Sequence, residues 1–129
     1  MNDMHELPHP FADLVGFDTT NRGDGVCINE LTIEEKHFNP HGVVHGAAIY
    51  ALADTGMGGA LSSLLDEGQI CSTIEIKINY LRPATGGHLT CETRVINKGS
   101  RTAVLESSVA SADGKLIARA MGTFMILSP

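Results

Sequence analysis

The chain has 129 residues, 19% of them charged, and a formal net charge of −6, a length that suits one domain with a core of its own. The acidic balance excludes a broadly basic nucleic-acid surface, and no apolar run approaches the ~20 residues that a bilayer-spanning helix needs. Cys27, Cys71 and Cys91 form no CxxC pair, which reads as buried thiols in a reducing compartment, and the polar start MNDMHELPHP has no signal-peptide pattern, so a cytoplasmic location is expected.

Residues 1–10 are expected to be a flexible segment ahead of a single domain within 1–129. Pro10 to Val15 suits a short lead helix with Phe11, Leu14 and Val15 on its apolar side. From Gly25 to Ile33, Cys27, Leu31 and Ile33 fall on one parity and Val26 and Ile28 on the other, as in a strand with some burial on both faces. Gly46 to Leu65 places Ile49, Leu52, Ala53, Gly56, Ala60 and Leu64 at helical spacing, with Asp66, Glu67 and Gly68 as its stop. This helix is small nearly all the way round, so other elements can approach it closely, although each glycine costs ~1 kcal/mol of helix propensity relative to alanine.

Four strand patterns follow, over Gln69 to Leu81, Gly87 to Ile96, Arg101 to Ser111 and Lys115 to Leu127. Ile74, Ile76, Ile78 and Tyr80 alternate with Thr73, Glu75, Lys77 and Asn79. Short connections at 83–87, 97–100 and Asp113-Gly114 predict an antiparallel meander. One strand, one long helix and a meander give an α+β domain in which the sheet curls around a central helix.

The segment HFNPHGVVHGAAIYALADTG, from His37 to Gly56, concentrates the residues able to carry chemistry. Asn39 precedes a proline and is pushed out of helical conformation, and Gly42 permits a tight turn. The helix begins near His45 or Gly46, where unpaired N–H groups and the positive end of the dipole suit an oxyanion. Asn39 and Gly46 can therefore donate together to one carbonyl oxygen, or else serve only as a turn and a cap. Asp54 is the lone charge in the helix, costly to bury unless paired or given a task, the plain alternative being an acid at a wet helix edge. Eight residues separate Gly46 from Asp54, ~12 Å along the axis. Two helices lying antiparallel across a two-fold axis would instead set Asp54 of one chain against Gly46 and Asn39 of the other, so the chemistry implies a dimer.

His37, His41 and His45 recur every fourth residue, a metal-binding face on a continuous helix, but Pro40 and Gly42 break that helix and no metal is expected. Arg82, Lys98 and Arg101 lie at or beside strand ends, where they suit phosphates or simply a solvated hairpin tip.

The ordered set HFNPHGVVHGAAIYALADTGMG, STIEIKINYLRPA, NKGSRTAVLESSV and a closing AxGTF resembles the hotdog-fold thioesterases of the phenylacetic acid degradation type, over about Phe11 to Leu127. The resemblance implies the hotdog fold, an antiparallel sheet wrapped around one helix, in homodimers that pair into homotetramers. It also implies hydrolysis of an acyl-CoA substrate, without a cofactor, at sites shared between two subunits. On this resemblance Asn39 contacts the thioester carbonyl and Gly46 polarises it. Asp54 is the general base or the nucleophile. Thr73, or Ser72 beside it, positions the attacking water, and His45 is the motif histidine. Lys98, Gly99, Arg101 and Arg82 resemble the phosphate-contacting positions, and Tyr50, Met57 and Leu61 are expected in the acyl-pocket wall. Ala47 departs from the pattern, since many relatives have glycine there. Other readings are an acyl-CoA binding module without turnover, a hotdog dehydratase and a scaffold dimer with no small-molecule site. The first is disfavoured because binding alone would not need an acid facing the thioester.

Overall fold

In a computed structural model, residues 8–128 are described; the part of the expected flexible segment within residues 1–7 lies outside them. The elements are α1 (Pro10–Val15), β1 (Phe17–Gly23), β2 (Val26–Thr32), a 3₁₀ turn (Glu35–His37), α2 (Gly46–Ser62), β3 (Ile70–Tyr80), β4 (His88–Lys98), β5 (Thr102–Ser111) and β6 (Leu116–Leu127). One six-stranded antiparallel sheet has the order β1-β2-β4-β5-β6-β3, and α2 packs into its concave side in contact with every strand. That is the hotdog architecture, an α+β fold.

Three details differ from the sequence reading. An additional strand, β1, precedes β2 and pairs with it through Asp24-Gly25, both at positive φ (52° and 79°), the conformation of a two-residue hairpin turn. Helix α2 ends at Ser62, with Ser63 as its C-cap, rather than running to Leu65. The sheet is also no simple meander, because β3 pairs with β6 at the far edge and β4 pairs with β2. Segment 83–87 is therefore a crossover, tied down where the buried Ala84 accepts a hydrogen bond from Val44 N–H (2.8 Å) and Gly87 accepts one from Ile33 N–H (2.8 Å).

The core divides in two along α2. One cluster gathers Phe17, Leu31, Ile49, Leu52 and Leu89 around the first half of the helix; the other gathers Cys27, Met57, Leu61, Leu105 and Phe124 around the second. Between them lies a buried polar layer under Gly56. Asn29 donates to the Leu52 carbonyl (3.1 Å) and accepts from Thr19 (2.6 Å), and Thr93 pairs with Ser107 (2.7 Å), so desolvation of these groups is offset by hydrogen bonds. The helix can lie this close because Gly56 carries no side chain: a Cβ there would stand 2.5 Å from Thr93 Oγ1.

All three cysteines are free. Cys27 and Cys91 are fully buried and Cys71 is half-buried, and burial pushes the Cys27 and Cys91 thiols up to about 11.

Candidate active site

The loop before α2 is a small self-bonded turn. Asn39 N–H donates to the Val43 carbonyl (2.8 Å), Gly42 sits at φ +80°, and Phe38 bridges Val44. The Asn39 side-chain oxygen accepts from the amides of His41 (2.9 Å) and Val43 (3.4 Å). That leaves Nδ2, which finds no acceptor among the described residues, as the outward group of the carboxamide: a pure donor.

His45 is the N-cap of α2. Its extended backbone (ψ 135°) stops helical geometry, its ring Nδ1 accepts from Ala47 N–H (2.9 Å), and its carbonyl accepts from Ala48 N–H (3.0 Å). The Gly46 N–H has no acceptor among the described residues, so it is a first-turn amide left for an external oxygen at the positive end of the helix.

Tyr80 was not among the residues singled out in the sequence as functional. Its hydroxyl donates to the Gly46 carbonyl (2.9 Å), and its ring lies so close that a Cβ on Gly46 would be 2.9 Å from Cζ. A side chain at the start of the helix would therefore have to push the Tyr80 ring aside, and Tyr80 holds this residue from 34 positions away. The available signal was Tyr80's parity with the inward Ile76 and Ile78.

Asp54, two turns further along α2, is half-buried, and its Oδ1 accepts from Thr73 Oγ1 (2.7 Å). It is Thr73, not Ser72, whose hydroxyl meets this carboxylate, although Ser72 lines the same cleft. A cleft of about 770 Å³ opens beside the pair, between the second half of α2, the connection into β3, and β3 itself, with Gly58, Ser62, Cys71 and Phe124 in its walls. Arg22 also lines it and donates from Nε to the Gly59 carbonyl (3.0 Å).

The remaining sequence candidates fall elsewhere. None of Asn39, His45, Gly46 and Tyr50 lines the Asp54 cleft; Gly46 stands ~12 Å from Asp54 along the helix axis. Tyr50 is half-buried one turn before Asp54, whereas Met57 and Leu61 are 0% exposed and belong to the core. Lys98, Gly99 and Arg101 are exposed on the β4–β5 connection, where Gly99 N–H donates to the Thr102 carbonyl (2.8 Å). Within one chain Arg82 does not join them. It follows Tyr80, which pairs with Ala118, whereas Thr102 pairs with Met125, ~24 Å away along β6 at ~3.4 Å per residue.

The histidine trio is likewise dispersed. Buried His37 donates from Nε2 to the Val15 carbonyl (2.6 Å) and accepts at Nδ1 from Glu34 N–H (2.9 Å), a pairing that fixes the neutral tautomer and ties α1 to the loop. His45 is spent on its cap, and His41 is exposed.

Residues 41–118 match the model of the thioesterase superfamily. The chain belongs to that superfamily. A protein of Saccharolobus solfataricus that bears an esterase name is 36% identical over 83% of this chain and 76% of its own length. The structure of a conserved protein from Pseudomonas aeruginosa superposes with a TM-score of 0.90 at 37% identity, covering 95% of this chain and 98% of that one. The acyl-coenzyme A thioesterase PaaI of Escherichia coli is 27% identical over 83% of this chain and 75% of its own. Its structure, from the phenylacetic acid degradation operon, superposes with a TM-score of 0.88 over 96% of this chain and 88% of that one. As a hotdog thioesterase, the chain is a thioester hydrolase. No helix among the described residues is long and apolar enough to cross a membrane.

Proposed function

We propose that this thioesterase hydrolyses acyl-CoA to free acid and CoA at a site shared by two copies of the chain. The carrying observation is the division of parts within one chain: Asp54 with Thr73 lines the cleft, while the donors Asn39 Nδ2 and Gly46 N–H stand at the other end of the helix's first half. In this reading the thioester carbonyl lies against the two donors of one subunit. Each such donor stabilises the developing oxyanion by a factor of ~100 to 1,000.

Asp54 of the partner acts on the opposite side of that carbonyl, as general base on a water or as nucleophile. With a water as nucleophile, its proton passes to the Asp54 carboxylate, the tetrahedral oxyanion forms against Asn39 and Gly46, and collapse expels the CoA thiolate, which recovers a proton. Thr73 orients the carboxylate through its hydrogen bond, and His45 keeps the first turn in place through its cap. Lys98 and Arg101 are the cations assigned to the coenzyme's phosphates, joined by Arg82 only across the subunit boundary.

Strand β3 supplies the means of pairing. It is one of the two sheet edges, and most of it is exposed, including Ile70 (57%) and Ile74 (50%). An open edge with apolar side chains is a template for a second strand. Two β3 strands pairing antiparallel about a two-fold near the middle of the strand bring Thr73 and Asp54 of one chain toward Tyr80 and Gly46 of the other. Further pairing of dimers into tetramers follows the family resemblance.

The test is thiol release from a panel of aryl and straight-chain acyl-CoAs by the wild type and Asp54→Ala, with folding checked in both. A folded variant at least ~100-fold slower supports the reading; binding without release by the wild type would instead mark a sensing module.

A further inference from the structure

We infer that Gly58 sets acyl-group specificity, its missing side chain keeping open the part of the cleft, one helical turn beyond Asp54, that takes the outer part of an aryl ring. The inference rests on the acyl-CoA reading above and adds to it the shape of the acyl group. Four glycines lie in α2, and three of them are explained by packing. A Cβ on Gly46 would meet Tyr80 at 2.9 Å, one on Gly56 would meet Thr93 at 2.5 Å, and one on Gly59 would meet Cys27 Sγ at 2.9 Å. Gly58 has no such neighbour: a Cβ there would touch only Phe124 Cε2, at an ordinary 3.9 Å.

Its backbone φ is also not in the positive range, so neither sterics nor conformation calls for glycine in a helix interior that alanine would favour. What Gly58 does face is the cleft, four residues after Asp54 and therefore on the same side of the helix. Four residues advance ~6 Å along the axis, so Gly58 opens the cleft one helical turn beyond the Asp54 carboxylate, where the outer carbons of an arylacetyl ring would reach and the two carbons of an acetyl group would not. Phe124, Leu65 and Cys71, whose thiol donates to the Gly58 carbonyl (3.8 Å), put apolar surface in the cleft beside it.

The experiment compares kcat/KM for phenylacetyl-CoA and acetyl-CoA in the wild type, Gly58→Ala and Gly58→Leu, with melting temperatures for all three. The expected result is a higher melting temperature for Gly58→Ala, and a phenylacetyl-to-acetyl ratio that falls in Gly58→Ala and falls at least ~10-fold in Gly58→Leu, the scale of a misfit methylene in a pocket. An unchanged ratio in a folded Gly58→Leu, equal loss on both substrates, or a wild type that cleaves acetyl-CoA and not phenylacetyl-CoA would overturn the inference and leave the thioesterase reading standing. Should Gly58→Leu not fold, Gly58→Ala decides alone, and a wild-type ratio there overturns it. A wild type that releases thiol from no CoA thioester defeats the broader reading and this inference together.

Discussion

The donor in the Thr73–Asp54 pair is a hydroxyl that only Thr73 can bring to the carboxylate. A hydrogen bond to a charged group contributes ~1.5–3 kcal/mol, so Thr73→Val should lower kcat by about 10- to 100-fold. Thr73→Ser should recover most of it, and Ser72→Ala should stay near wild type; steady-state kinetics on one acyl-CoA checks all three. The sequence left Thr73 and Ser72 unresolved because the β-bulge between Thr73 and Glu75 interrupts the alternation by which parity is read. For Tyr80 parity marked the face but not the contact, since its partner Gly46 is brought near only by the packing of α2 on β3. The buried thiols give a pH dependence. An unfolded thiol ionises near 9.0 and the folded Cys27 and Cys91 near about 11. Their raised folded values mean that stability is intact below pH 9 and is lost as pH climbs toward about 11. Urea midpoints at pH 8 and 10.5 should therefore fall more steeply in the wild type than in Cys27→Ala/Cys91→Ala.

At the scale of elements, α2 is held by close approach rather than by propensity. Gly56→Ala forces a methyl into Thr93 within a satisfied polar layer and should destabilise by ~1–3 kcal/mol, the range for overpacking, measured by chemical denaturation. The helix was legible because its apolar spacing is regular and its glycines and alanines sit on every side. Strand β1 was not: in FDTTNRG only Phe17 is apolar and fully buried, so no alternation marks it, although Asp24-Gly25 is the same hairpin dipeptide as Asp113-Gly114. The placement of β3 was equally hidden. A five-residue turn-rich link reads as a hairpin, yet the link passes over two intervening strands because β3 finds its partner in β6.

At the scale of the whole molecule, one chain holds each half of the candidate site once and in separate places. Asn39, Gly46 and Asp54 were readable as a set from the sequence, because Pro40, the start of the helix and a lone helical charge each mark their place. Their failure to meet within one chain follows from the straight run of α2, and the exposed edge of β3 offers the way in which two chains would complete them. The measurement that bears most directly on this is mixing of two inactive variants, Asp54→Ala and Asn39→Ala, followed by unfolding and refolding together. Each hybrid dimer then has one site with both Asp54 and Asn39 intact and one with neither, and random pairing makes half the dimers hybrids, so about a quarter of wild-type activity should return. Activity no higher than that of the separate variants, with hybrid dimers demonstrably formed, would contradict the shared site and require that one chain carry the whole reaction.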